Sequence, residues 1–196
     1  MTNQDKNALV VAATKALTGR ETSSGTNSSL NPTTVEPQAQ QQCPEPLPVI
    51  AANIPDELKE IPQWVCWKYT WNGKKWTKPP YQPNGYKASK TNTAHFFAFS
   101  DVIAAYEKGG FSGVGFILTK DDPFVAIDID HCLEGKVLTD EARDIIKALN
   151  SYTEISPSGT GIRIFVKGAI PRNIHKAIEI YSHGFYVTVT GQRWPL

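Results

Sequence analysis

Ala126-Ile127-Asp128-Ile129-Asp130-His131 sets two carboxylates two residues apart inside an apolar, β-branched run. β-Branched residues favour strands, and alternate side chains of a strand share a face. Asp128 and Asp130 are therefore expected to project together while Ile127 and Ile129 turn into a core. Their Cα atoms would lie roughly 6.5 Å apart, close enough to converge on divalent ions about 4 Å apart in a two-metal phosphoryl-transfer site. Oxygen ligands of this kind suit Mg²⁺ or Mn²⁺. Left desolvated without a cation, the two like charges would raise each other's pKa. A solvated strand end carries the same pattern at times, so the neighbouring chain has to decide.

Downstream, Ser156-Pro157-Ser158-Gly159-Thr160-Gly161 runs into Ile162-Arg163-Ile164-Phe165. Ser158, Gly159, Gly161 and Arg163 predict a phosphate cradle: glycines let backbone N–H groups approach an anion, hydroxyls donate, and a guanidinium grips oxygens in pairs. A turn before a strand has the same composition, and without Gly-Lys-Ser/Thr it is not a Walker loop. Glu179 sits in Ala177-Ile178-Glu179-Ile180-Tyr181, again between β-branched residues. It becomes a third metal ligand if its strand lies beside that of Asp128 and Asp130. His131-Cys132 is not a zinc pair, since adjacent strand residues face opposite ways and no second pair is suitably spaced.

Upstream, residues 61–100 contain six lysines, at 68, 74, 75, 78, 87 and 90, and no acidic residue. Trp64, Trp67, Tyr69, Trp71, Trp76, Tyr81 and Tyr86 interleave with them. Lys74, Lys75, Lys78 and Lys87 are expected to neutralise nucleic-acid phosphates while aromatic faces stack on unpaired bases. Strand alternation would instead send half of these rings into a core.

Punctuation along the chain predicts an α+β protein. Asn72-Gly73 marks a hairpin, residues 97–108 read as a helix ended by Gly109-Gly110, and 113–118 and 124–130 read as strands. Thr139 caps a helix through 149, and strands follow at 162–166, 178–181 and 186–190. Residues 1–52 are expected to form a disordered low-complexity tail, with a helix-prone stretch at 7–17 and a folded domain over 53–196. Cys43, Cys66 and Cys132 form no C-x-x-C pair and read as reduced thiols. With no apolar run near ~20 residues and no signal-peptide pattern, the expectation is a cytoplasmic protein with no membrane partner.

The motifs, taken in order, resemble those of the archaeo-eukaryotic primase superfamily. Trp64-Val65-Cys66-Trp67, Lys78 to Ser89, Asp122 to His131, Ser151 to Gly159 and Thr188-Val189-Thr190-Gly191 are most similar to primase-polymerases of phages, plasmids and integrated elements, over about residues 61–191. The resemblance implies an RRM-like catalytic core that joins nucleoside triphosphates on a single-stranded DNA template with two divalent metals. It assigns the metals to Asp128, Asp130 and Glu179, and the triphosphate to Ser158, Gly159 and Arg163. Two positions depart from the family: Arg163 replaces the usual histidine, and Phe185 stands where relatives often carry arginine. The match ends without a Walker A segment or helical accessory domain, which suits a core acting with a separate replicative helicase, or a truncated gene. A non-catalytic nucleic-acid-binding remnant and a metal-dependent nuclease are the alternatives the residues leave open.

Overall fold

The computed structural model describes residues 42–195. The predicted helix-prone segment at 7–17 and most of the predicted disordered tail lie outside them. Among the described residues, no helix is long and apolar enough to cross a membrane.

A short helix, α1 (Asp56–Lys59), leads to β1 (Trp64–Trp67). Beyond it, β2 (Thr70–Trp71) and β3 (Trp76–Thr77) form the predicted hairpin. Its turn is fixed by the Asn72 side chain, which accepts from the N–H groups of Lys74 and Lys75. β4 (Pro80–Tyr81) pairs back on β1, and helix α2 (Phe99–Glu107) leads to β5 (Gly113–Leu118). Then come β6 (Phe124–Ile129), a small hairpin of β7 (Leu133–Glu134) and β8 (Val137–Leu138), and α3 (Asp140–Leu149). Thr139 caps α3 as predicted, its hydroxyl accepting from the Ala142 N–H. The last strands are β9 (Tyr152–Ile155), β10 (Ile162–Lys167), β11 (Ile174–His175), β12 (Glu179–Tyr181) and β13 (Phe185–Val189).

Apart from the β2-β3 and β7-β8 hairpins, the described strands build two antiparallel sheets, ordered β13-β5-β1-β4 and β11-β12-β6-β10-β9. In the second sheet the chain runs β6, α3, β9, β10, β12 with spatial order β12-β6-β10-β9, the RRM-like arrangement with a short edge strand in place of the second helix. The strands on either side of Ser182-His183-Gly184 fall in different sheets. Alternation in β6 explains its burial. Val125, Ile127 and Ile129 pack with Ala142, Ile146 and Leu149 of α3, while Phe124 and Ala126 turn the other way, toward a cluster containing Phe116 and Val187 of the first sheet.

The rings of Trp64 and Trp67 are core, 0% and 1% exposed, and their indole N–H groups donate to the carbonyls of Leu58 and Val114. Tyr81 is buried as well. Only part of the predicted aromatic nucleic-acid surface is therefore available: Tyr69, Trp71 and Trp76 are half-buried, and Tyr86 is exposed. Cys66 and Cys132 are buried free thiols, and burial pushes Cys66 up to about 12.

The folded body begins before the boundary predicted at residue 53. Leu47 N–H donates to Pro157 O (2.9 Å), Ile50 N–H to Thr190 O (2.8 Å) and the Gln192 amide to Pro48 O (2.7 Å). At Gly191, φ is +66° and an added Cβ would sit 2.2 Å from Ile50 O, so glycine lets the two segments touch. A chain starting at residue 43 should melt with the full-length protein. One starting at 53 loses these hydrogen bonds, at ~1 kcal/mol each, and should melt several degrees lower by circular dichroism.

Candidate active site

Register gathers the predicted residues. Asp128 in β6 lies directly opposite Glu179 in β12 on one side and Arg163 in β10 on the other. Glu179 faces His175 in β11, and Arg163 faces Glu154 in β9. Directly paired residues point to the same side of a sheet, so His175, Glu179, Asp128, Arg163 and Glu154 form one row across all five strands. The row lies on the face of β6 turned away from α3.

The Asp128 carboxylate is only 13% exposed, and its Oδ2 accepts from Arg163 Nη2 at 3.2 Å. Its Oδ1 is buried with no hydrogen-bond partner. Glu179 Oε2 accepts from the Tyr181 hydroxyl at 2.6 Å, and Oε1 lies 3.8 Å from His175 Nδ1. Asp130 is exposed just past the end of β6, where the chain turns sharply through His131 at φ +53°. Among the described residues, no group of three His, Cys, Asp or Glu side chains forms a closed cage ready for a metal. The donors still fit a hard divalent cation, because they are all carboxylate oxygens and Asp128 offers a buried one with nothing bound to it.

Arg163, predicted to grip a triphosphate, is turned inward. It is 5% exposed, and besides Asp128 its guanidinium donates to the carbonyl and hydroxyl of Thr188 in β13. It thus ties the two sheets together. Beside it, Glu154 is fully buried and accepts from the Tyr152 hydroxyl and from the N–H groups of Thr190 and Gly191. Burial pushes the Glu154 carboxyl up, against the pull of those three donors.

The 156–161 loop is the β9–β10 turn, and it satisfies itself. Gly159 N–H donates to Ser156 O (2.9 Å) and Gly161 N–H to Ser156 Oγ (3.1 Å), while the Ser158 hydroxyl bonds those of Ser156 and Thr160 (3.0 Å each). The predicted cradle is therefore closed on its own hydroxyls, with Ser158 and Thr160 exposed. Gly161 is buried against the end of β6, where an added Cβ would meet Ile129 O at 2.9 Å and Asp130 Cα at 3.4 Å. That contact sets the loop against Asp130.

The predicted nucleic-acid lysines divide. Lys74, Lys75 and Lys87 are exposed. Lys78 is half-buried on the β3–β4 connection, and its backbone carbonyl accepts from the Tyr186 hydroxyl.

No protein-family model matches the chain. By sequence it is 42% identical over 146 residues to a protein named DNA Primase-polymerase from Nitratiruptor phage NrS-1. The folded chain is related to the primase-polymerases. The match takes in 69% of this chain but 20% of that protein, so the chain spans about a fifth of its relative's length.

Several residues of the site escape a reading by motif. Thr188 and Glu154 hold Arg163 and the β9 end of the row through partners far along the chain, and nothing local signals those contacts. Phe185, at the position of an expected arginine, stacks flat on Tyr181 with ring centroids 3.7 Å apart, and the Lys90 ammonium lies 4.7 Å over its ring. A cation thus sits over the Phe185 ring, brought in by a different loop.

Proposed function

We propose that this domain is a template-directed nucleotidyltransferase that joins nucleoside triphosphates along single-stranded DNA. A separate replicative helicase is the expected source of that single strand. The observation that carries this reading is the buried, unpartnered Asp128 Oδ1, set in register with Glu179 and close to the strand end that bears Asp130. Asp128, Asp130 and Glu179 would hold Mg²⁺ or Mn²⁺, which when bound lowers the barrier to attack by a 3′-hydroxyl and neutralises the leaving pyrophosphate. Arg163 fixes the orientation of Asp128. Ser158, Gly159 and Gly161 form the wall beside Asp130, whose hydroxyls can exchange their mutual bonds for phosphate oxygens. Lys74 and Lys75, with Trp71 and Trp76 packed edge to face at 5.6 Å, would present a basic aromatic hairpin to the template, with Lys87 adding charge from the loop after β4.

Extension of a labelled primer on a single-stranded template tests this. Incorporation should require Mg²⁺ or Mn²⁺ and disappear with a chelator. Strand cleavage without triphosphates would instead make the same acids those of a nuclease. Template binding with neither reaction would make the chain a binding module.

A further inference from the structure

We propose that Lys78 is the side chain that grips the phosphates of the incoming nucleotide, with Arg163 acting behind it as the strut that holds the site together. This assignment rests on the polymerase reading above. Arg163 is committed and shielded: Nη1 donates to Thr188 and Nη2 to Asp128, and its Nε, which has no partner, is buried away from any ligand. Turning it toward a ligand would break the tie between the sheets and leave Asp128 Oδ2 unpaired.

Lys78 is placed by a chain of contacts that ends at the same carboxylate. Its carbonyl is bonded by Tyr186, which lies two residues from Thr188 and so on the same side of β13. Thr188 binds Arg163, and Arg163 binds Asp128. Among the described residues, the half-buried Lys78 ammonium makes no hydrogen bond or ion pair. Burial, and then the nearby Arg163, lower its pKa, while Asp128 and Asp130 raise it, so its charge is felt at both acids.

A partly desolvated ammonium without a partner gains by meeting an anion, and as a compact point charge it suits a flexible polyphosphate. Template phosphates are less suitable partners. The exposed Lys74 and Lys75 at the hairpin tip reach solvent freely, whereas Lys78 is half-buried and within electrostatic reach of Asp128 and Asp130.

The test compares wild type, Lys78→Ala, Lys78→Arg and the double variant Lys74→Ala, Lys75→Ala. Mg²⁺-nucleoside triphosphate binding is measured by calorimetry, template binding by fluorescence anisotropy, and nucleotide KM by primer extension. Loss of one charge-assisted contact should weaken nucleotide binding and raise KM about tenfold or more in Lys78→Ala, with template affinity unchanged. Lys78→Arg should recover part of it, and the double variant should show the reverse, with weaker template binding and normal KM. Unchanged nucleotide binding in Lys78→Ala, or a defect confined to the template, overturns the assignment alone. A wild-type chain that binds no nucleotide overturns both the assignment and the polymerase reading.

Discussion

Asp130→Ala should abolish metal-dependent nucleotide incorporation, by ~10³-fold or more, the scale of losing a group that stabilises transition-state charge, while leaving the melting temperature unchanged. Asp130 is exposed and makes no hydrogen bond or ion pair with any described residue, so its removal strands no partner. Asp128→Ala should be equally inactive for a less clean reason. It deprives the buried Arg163 of its ion pair, and an uncompensated buried charge costs about 3–5 kcal/mol. Asp128→Asn, which keeps an acceptor for Arg163, should lose activity with a smaller drop in stability. Primer extension beside thermal melts of the three variants separates these effects. Incorporation retained by Asp130→Ala would sink the paired-acid site, because the remaining carboxylates would then be sufficient.

The second large effect belongs to Arg163. Removing it cuts the link from Asp128 to Thr188 and leaves Asp128 partly buried with neither oxygen bonded. Arg163→Ala should therefore cost about 3–5 kcal/mol, on the order of 10 °C in a domain of this size. Arg163→Lys should fall between, since one ammonium cannot span a carboxylate and a carbonyl as a guanidinium does. The double replacement Asp128→Leu with Arg163→Met should recover much of the lost stability in an inactive protein, because it removes both charges together. A melt of Arg163→Ala that matches wild type, together with a raised nucleotide KM, would show instead that Arg163 faces the substrate.

What local sequence specifies and what it leaves to pairing separate cleanly at β6. Alternating Ile and Asp is enough to predict a strand with Ile127 and Ile129 in a core, and they are found there, whereas Asp130 lies in the turn past the strand end. That Glu179 and Arg163 flank Asp128 is a matter of which strands become neighbours, and neither strand advertises its partner. Arg163 could be read as a phosphate ligand because its residue type fits. Its actual partner, Thr188, is 25 residues away and reaches it from another sheet. The start of the domain was hidden similarly. Proline-rich residues 44–50 look like tail by composition, yet the backbone groups of Leu47, Pro48 and Ile50 are tied by hydrogen bonds to the β9–β10 loop and to the turn after β13. The Ser158–Gly161 loop was legible as a turn with hydroxyls, but not its self-closure. Trp64 and Trp67 lay in a pattern equally suited to core and to nucleic acid, and only burial decides between them.

The row of His175, Glu179, Asp128, Arg163 and Glu154 also governs which length changes the domain can accept. Side chains alternate along a strand, so one residue inserted into β6 before Asp128 would swing Asp128 toward α3 and bring an isoleucine to the reactive face. A compensating insertion would be needed in every neighbouring strand at once. The hairpin tip at 72–75 is under no such constraint, since among the described residues its strands pair only with each other. Related chains should therefore differ in length at that tip and at the β7–β8 turn, while the spacing from Phe124 to Asp130 stays fixed. Chemistry and folding read the same ladder, and an error of one rung is fatal to both.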